Sequence, residues 1–299
     1  MLEGQKMKIR EFVDRDLSSL VALFNETYKG SYEFIPFDET AFRSWIRERN
    51  PRIFIAEEDN KVKGFVVYRS GHWGDEIRWL CVSDHPNRKL VEDALVREVE
   101  KIVKRGEIST TVDAEDSKIE EWIKRGYKPE GGLYHMVAQL DGLKPIPKVP
   151  EGIKLRSLKP NEEKELVEAI NNGFGWERVT QDTIRRWKKN NPPFDEEWVH
   201  VAELDGRIVS VVVSKPDTEY NRFFKGRRGY LGPAATLPEH RNKNLAKALT
   251  RRAMNFLYEK KMNSVALYTS ERNIPSVTLL RKLGFKVKHY WKFLHKDLK

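Results

Sequence analysis

The residues best suited to chemistry in this 299-residue sequence lie at 229–246, GYLGPAATLPEHRNKNLA. A strand pattern runs out through Thr236-Leu237-Pro238 into the loop Arg241-Asn242-Lys243-Asn244, and a helix pattern starts near Leu245. A helix N-terminus presents unpaired N–H groups and the positive end of its dipole, which suits a phosphate or pyrophosphate. The loop before it must bring its backbone close to the ligand, often with φ > 0. Glycine is the usual residue there and asparagine the next most tolerant. Lys243, Lys247, Arg251 and Arg252 add positive charge on or beside that first turn.

The elements that position this stretch occur twice. Residues 141–152, DGLKPIPKVPEG, hold three prolines and two glycines and read as a linker. On either side the same order appears. Met7-Lys8-Ile9-Arg10 matches Ile153-Lys154-Leu155-Arg156 as an alternating strand, and helical stretches follow each. FIAEEDNKVKGFVVY (54–68) and HVAELDGRIVSVVVS (200–214) align without gaps and read as hairpins turning at Asp59-Asn60 and Asp205-Gly206. Each copy then shows an apolar strand (77–82; 229–236) and an amphipathic helix (90–104; 245–260). In the second helix Leu245, Leu249, Ala253, Phe256 and Leu257 make one buried stripe. A further strand, a short helix ending in Gly126-Tyr127 or Gly284-Phe285, and a last strand complete each copy.

Charge is divided unevenly between the copies. Residues 1–150 carry 25 basic and 27 acidic groups, whereas 221–299 carry 19 basic and 4 acidic. An anionic partner is therefore expected on the last quarter of the chain. No apolar run is long enough for a membrane span, and MLEGQKMKIREF lacks the apolar core of a signal peptide, so a soluble cytoplasmic protein is expected. The one cysteine, Cys81, excludes a disulfide framework and reads as a small buried hydrophobe. The seven histidines show no H-x-x-x-H or H-E-x-x-H spacing, so no metal is expected.

The order of elements, the strand-to-helix passage through Pro238, Arg241 and Ala246, and the later Asn…Gly-Phe resemble the GCN5-related N-acetyltransferase (GNAT) superfamily. The family's loop reads Gln/Arg-x-x-Gly-x-Gly/Ala; here Arg241, Asn244 and Ala246 hold those places, with Asn for the middle Gly. Asn273-Ile-Pro-Ser276…Leu279-Leu280…Gly284-Phe285 is similar to the family's Asn-x-x-Ala-x-x-Leu-Tyr…Gly-Phe. The doubled arrangement looks most like the mycothiol-synthase-type double-GNAT proteins.

The resemblance implies an α/β (α+β) fold of two tandem GNAT-like domains, each a mixed, mostly antiparallel sheet flanked by helices. Residues 1–140 would be a degenerate copy that does not bind CoA, and 153–299 the copy carrying the acyl-CoA site. It further implies acetyl-CoA as donor and direct attack by a primary amine in a ternary complex. Pantetheine would lie along Ala234, Ala235 and Thr236, where a backbone N–H would hold the thioester carbonyl, a contact typically worth ~10²–10³ in rate. Pyrophosphate would sit on Asn242, Lys243, Asn244, Leu245 and Ala246 beside Arg241, with Asn273 and Ser276 toward the pantetheine. Phe174, Trp176 and Glu177, with Trp187 nearby, fall where relatives recognise the acceptor, a small-molecule or peptide amine; a core role for these aromatics is equally open.

Two family features are missing. Leu280 stands where many relatives place a general-acid tyrosine, and strand 229–236 has no carboxylate to act as base. Tyr268 could serve as the acid, or be structural. Deprotonating a lysine amine at pH 7 costs roughly 4.6 kcal/mol and an α-amine only about 1.4, so a weakly basic amine or a water relay is expected. In the first copy Pro86 and Ala94 are eight positions apart, against ten between Pro238 and Ala248, and Glu92 and Asp93 bring negative charge where phosphate would sit. Glu115 replaces Asn273, and His240 reads as a solvated loop residue. A non-catalytic acyl-CoA-binding or regulatory protein is the alternative reading. A nucleic-acid-binding protein using the basic C-terminal face is a more remote one, because the tail KVKHYWKFLHK has the alternation of a half-buried strand and needs no RNA.

Overall fold

The computed structural model describes residues 7–71, 74–84 and 86–298. Residues 1–6, on which the leader reading partly rests, lie outside them. In chain order the elements are β1 (Lys8–Glu11), α1 (Leu17–Tyr28), α2 (Glu39–Arg49), β2 (Arg52–Glu58), β3 (Lys61–Gly71), β4 (Gly74–Val82), α3 (Arg88–Glu100), β5 (Glu107–Asp113), α4 (Lys118–Lys124) and β6 (Lys128–Gln139). The second series is β7 (Lys154–Ser157), α5 (Glu163–Phe174), α6 (Gln181–Asn190), β8 (Val199–Leu204), β9 (Arg207–Pro216), α7 (Thr218–Phe224), β10 (Arg228–Thr236), α8 (Leu245–Glu259), β11 (Ser264–Ser270), α9 (Ile274–Lys282) and β12 (Lys286–Asp297). The repeat reading did not foresee α7, which enters between β9 and β10.

Packing divides the chain into two units. One holds the residues up to Leu133 together with those from Tyr290 onward; the other is Tyr134–His289. These units differ from the sequence halves 1–140 and 153–299 at the closing strands. Residues 290–297 of β12 pair antiparallel with β5, from Trp291 opposite Asp113 to Asp297 opposite Glu107, while residues 134–139 belong with β11.

Within the first unit the strand order is β1-β2-β3-β4-β5-β12, and within the second β6-β11-β10-β9-β8-β7. β4 with β5 and β10 with β11 run parallel, while β1-β2-β3-β4, β5-β12 and β10-β9-β8-β7 pair antiparallel. The hairpin turns form as expected, with positive φ at Asp59, Asn60, Asp205 and Gly206. In β9, Ile208 to Val213 are all buried, because α5 covers one face and α8 the other; a strand covered on both sides reads as a continuous apolar run. Leu245, Leu249, Ala253 and Leu257 of α8 are buried as a stripe.

An ion triad also repeats at an offset of 146. Arg10 bridges Asp16 (2.7 Å) and Glu57 (2.5 Å), and Arg156 bridges Glu162 (2.8 Å) and Glu203 (2.7 Å). In each unit the first carboxylate also accepts an amide, that of Val13 or Lys159, and so pins the entry to α1 or α5. No helix among the described residues is long and apolar enough to cross a membrane.

Candidate functional site

In the second unit β10 and β11 pair only from Arg228 opposite Ser264 to Tyr230 opposite Ala266, and the ladder then ends. Against β9, β10 continues to Thr236, with a register shift between Leu231 and Ala234. The Leu237 amide donates to the Val209 carbonyl on the β9 side (3.0 Å), and the Ala235 carbonyl accepts from Ser210 on that side (3.0 Å). Alternation along a strand turns the amides of Ala234 and Thr236 the other way, into the opening toward β11. The C-terminal turn of α5 closes over this stretch: a Cβ at Gly173 would lie 2.8 Å from the Ala235 Cβ and 3.2 Å from the Thr236 nitrogen, so only glycine fits. Three of the expected residues, Ala234, Ala235 and Thr236, thus line one edge of a gap in the sheet.

At the upper end of that gap the loop Arg241–Asn244 is exposed. Asn242 and Asn244 both take φ 62°, the left-handed conformation expected of asparagine in place of glycine. Asn244 is the N-cap of α8, yet its side chain makes no cap hydrogen bond, and the first turn holds no acidic side chain. The amides of Leu245, Ala246 and Lys247 therefore start the helix without a side-chain cap, and the dipole end is positive. The Arg241 guanidinium is turned inward: it donates to the Gly173 carbonyl (2.9 Å) and, at 3.4 Å, to that of Thr236. His240, expected to be solvated, is half-buried, and its Nδ1 has no hydrogen-bond partner among the described residues.

Asn273 and Ser276 fall at the start of α9. The Asn273 Oδ1 accepts from the Ser276 amide (3.2 Å) and caps the helix, and the Ser276 hydroxyl bonds to the Thr269 hydroxyl on β11 (3.2 Å). The first role of both is to fix α9 beside the gap. Leu280 is a core residue, 4% exposed.

On the face of the sheet covered by α5 and α6, the Phe174 and Trp176 rings meet edge-on at 5.8 Å, and the Arg178 guanidinium lies 4.9 and 5.4 Å from their centres. Glu177 is exposed beside them. Trp187 packs on the core and faces the Lys215 ammonium at 5.9 Å. Lys215 also lies 5.2 Å from the centre of the Tyr230 ring. Tyr230, the last residue paired to β11, stands at the vertex where the two strands part. Tyr268, 44% exposed on β11, stacks on His135 at 4.6 Å and lies 6.1 Å from Tyr230. Burial, with the charge of Asp217 adding to it, pushes the Tyr230 phenol up, and burial pushes the Lys215 ammonium down. Tyr230 and Lys215 escaped the sequence reading; the available signal was their cross-strand register, one opposite the other on β10 and β9. They border a cavity of about 490 Å³ lined further by Asn190, Asn191, Thr218 and Arg222.

The first unit departs from this geometry at each corresponding point. Leu80, opposite Val66, matches Ala234, opposite Val212. Its backbone faces the hydroxyl of Tyr28, the last residue of α1, where α5 has Phe174. Asn87 before α3 has φ −102°, not a left-handed value. Glu92 and Asp93 are held by Arg125 (2.9 and 2.7 Å), and Glu92 also by Arg88 (3.0 Å). Cys81 is fully buried and burial pushes its thiol up to about 12, as expected of a core residue. Across the β5–β12 ladder Glu107, His295 and Asp297 each place one ligand atom within 4.8 Å of the others, an exposed cross-strand group that linear histidine spacing does not reveal.

Residues 163–285 match the acetyltransferase (GNAT) family. Over 148 residues the chain is 30% identical to the mycothiol acetyltransferase of Saccharomonospora viridis, covering 48% of each sequence. Over 161 residues it is 28% identical to that of Thermobispora bispora, covering 51% of this chain and 53% of the relative. The chain spans about half the length of these relatives. Among solved structures, the GCN5-related N-acetyltransferase from Sphaerobacter thermophilus superposes over 97% of this chain and 95% of its own, with a TM-score of 0.70 at 18% identity. A tandem GNAT protein from the clavulanic acid biosynthesis pathway covers 98% of both, with a TM-score of 0.68 at 16% identity. Those identities carry the fold alone.

Proposed function

From a chain whose second half carries a GNAT-family domain and whose fold is the tandem GNAT arrangement, we propose a CoA-dependent N-acetyltransferase with one active site, at the β10–β11 opening and the start of α8. The observation that carries this is the pair of left-handed asparagines, Asn242 and Asn244, leading into an uncapped helix beside a strand edge with amides free of β9. Helix amides and dipole would hold the pyrophosphate of the donor. The strand edge would pair with its pantetheine arm as an added strand, and the Ala234 or Thr236 amide would hold the thioester oxygen. Lys243 and Lys247 would supply charge at the first turn.

The reaction forms an N–C bond from the acceptor amine to the acetyl carbon and breaks the C–S bond. The amine gives up one proton and the departing thiolate gains one. Tyr268 or Tyr230, flanking the vertex, would return that proton. No carboxylate of β10 takes the proton from the amine, which favours an amine that is substantially neutral near pH 7 or a water that carries the proton away.

The acceptor is a small-molecule or peptide amine. The mycothiol acetyltransferases among the relatives support a small molecule, without carrying their own acceptor over, because fold does not set substrate. Residues 7–133 would be a copy without a donor site, its strand edge faced by the Tyr28 hydroxyl. Release of CoA thiol from acetyl-CoA, followed with a mixed panel of α-amines, amino sugars and lysine peptides, tests the proposal. Amine-dependent release supports it. CoA binding without any release would favour a binding or regulatory protein.

A further inference from the structure

The cavity beside Tyr230 holds a cation, Lys215, that makes no direct ion pair. Lys215 comes off the end of β9, half-buried, with its ammonium against the faces of Tyr230 and Trp187. Among the described residues no carboxylate lies within ion-pair distance of it. Asp217, two residues on, has an oxygen bonded to the Arg228 guanidinium at 2.8 Å. An ammonium packed on ring faces and open volume, with only the longer-range attraction of Asp217, a carboxylate shared with Arg228, is a costly arrangement for a fold to keep. Arg222 adds a second cation to the lining, and Asn190, Asn191 and Thr218 add neutral hydrogen-bonding groups. Glu219, also in the lining, is able to meet the ammonium form of an arriving amine. Tyr230 borders this cavity and is also the last residue before the β10–β11 opening, so a molecule seated here has one end at the vertex.

We propose that the acetyl acceptor carries an anionic group, a carboxylate or a phosphate, besides its primary amine, and that Lys215 receives that anion. This rests on the reading of the site as an amine acetyltransferase. Lys215 is then a specificity-determining residue: it sets which amines dwell at the vertex and takes no part in bond making.

Matched pairs of acceptors test this: glucosamine 6-phosphate against glucosamine, and glycine against glycinamide, each with acetyl-CoA. The readout is the ratio of kcat/KM for the anionic over the neutral member, compared between the wild type and Lys215→Gln, so that each amine's own basicity cancels. A charge-assisted hydrogen bond is worth about 1.5–3 kcal/mol, so the ratio should fall by about 10-fold or more in at least one pair. Lys215→Arg should retain the preference, and the KM for acetyl-CoA should stay unchanged. The pair that responds distinguishes phosphate from carboxylate. Equal ratios in the wild type and Lys215→Gln for both pairs overturn the proposal. Calorimetric titration of the same four amines into the CoA-saturated protein reads it without turnover. Tighter binding of an anionic member, lost in Lys215→Gln, supports it even if no acetyl transfer is seen; equal or absent binding of both members of each pair overturns it. Failure of the acetyltransferase reading would instead appear as no thiol release with any amine.

Discussion

The Arg241 guanidinium donates to the Gly173 carbonyl at 2.9 Å and so ties the loop before α8 to the last turn of α5. The resemblance assigns this residue to the donor. Its contacts with the carbonyls of Gly173 and Thr236 lead us to propose a positioning role instead. Arg241→Ala should raise the KM for acetyl-CoA by about 10-fold, the loss of one exposed charged hydrogen bond, while kcat changes by less than about 3-fold. Steady-state kinetics with varied acetyl-CoA check this; a loss confined to kcat would show the guanidinium acting in the chemistry.

Asn244 tests the backbone requirement separately. Its φ of 62° costs a β-branched residue roughly 1–2 kcal/mol. Asn244→Val should weaken CoA binding by about 10-fold and Asn244→Gly should not weaken it. Calorimetric titration with CoA distinguishes them, and equal loss in both variants would mean that the asparagine side chain, not the backbone, meets the ligand.

In the first unit the Tyr28 hydroxyl faces the Leu80 backbone. Tyr28→Phe removes that hydroxyl, at a cost of about 0.5–1.5 kcal/mol, and should lower the melting temperature slightly with no change in acetyl transfer. A fall in kcat/KM at unchanged stability would place Tyr28 in the chemistry.

His200 makes stability depend on pH. Burial, with the charge of Arg252 adding to it, pushes the ring down to about 3, against about 6.5 in an unfolded chain, and its Nε2 meets the Ser214 hydroxyl at 3.1 Å. The folded state thus refuses a proton that the unfolded state takes. Its contribution is complete above pH 6.5 and is lost as pH falls, at roughly 1.4 kcal/mol per unit for one proton. The carboxylates lowered by arginine, Asp16 and Glu57 among them, add their own losses only at lower pH. Denaturant unfolding between pH 4.5 and 6.5 should therefore show a slope that His200→Gln largely removes.

Much of this was readable from the residues, because it rests on local rules. Gly and Asn at φ > 0 announce the hairpin turns and the loop at 241–244, and the stripe of Leu245, Leu249 and Leu257 announces α8. The gapless match of 54–68 with 200–214 announces the doubled sheet. What escaped depends on partners far apart in sequence. The exchange of closing strands is a matter of packing, invisible to periodicity. Lys215 and Tyr230 become neighbours only through the β9–β10 register, and the inward turn of Arg241 needs a carbonyl 68 residues away. That Asn273 caps α9 is not legible either, because an N-cap and a ligand amide share one residue type.

The central claim is a single donor site, built by β10 and α8. Calorimetric titration of the full chain with acetyl-CoA tests it most directly. One molecule bound per chain, with affinity lost in Asn244→Val and kept in Tyr28→Phe, is the predicted result; two molecules per chain, or binding indifferent to Asn244, would contradict it.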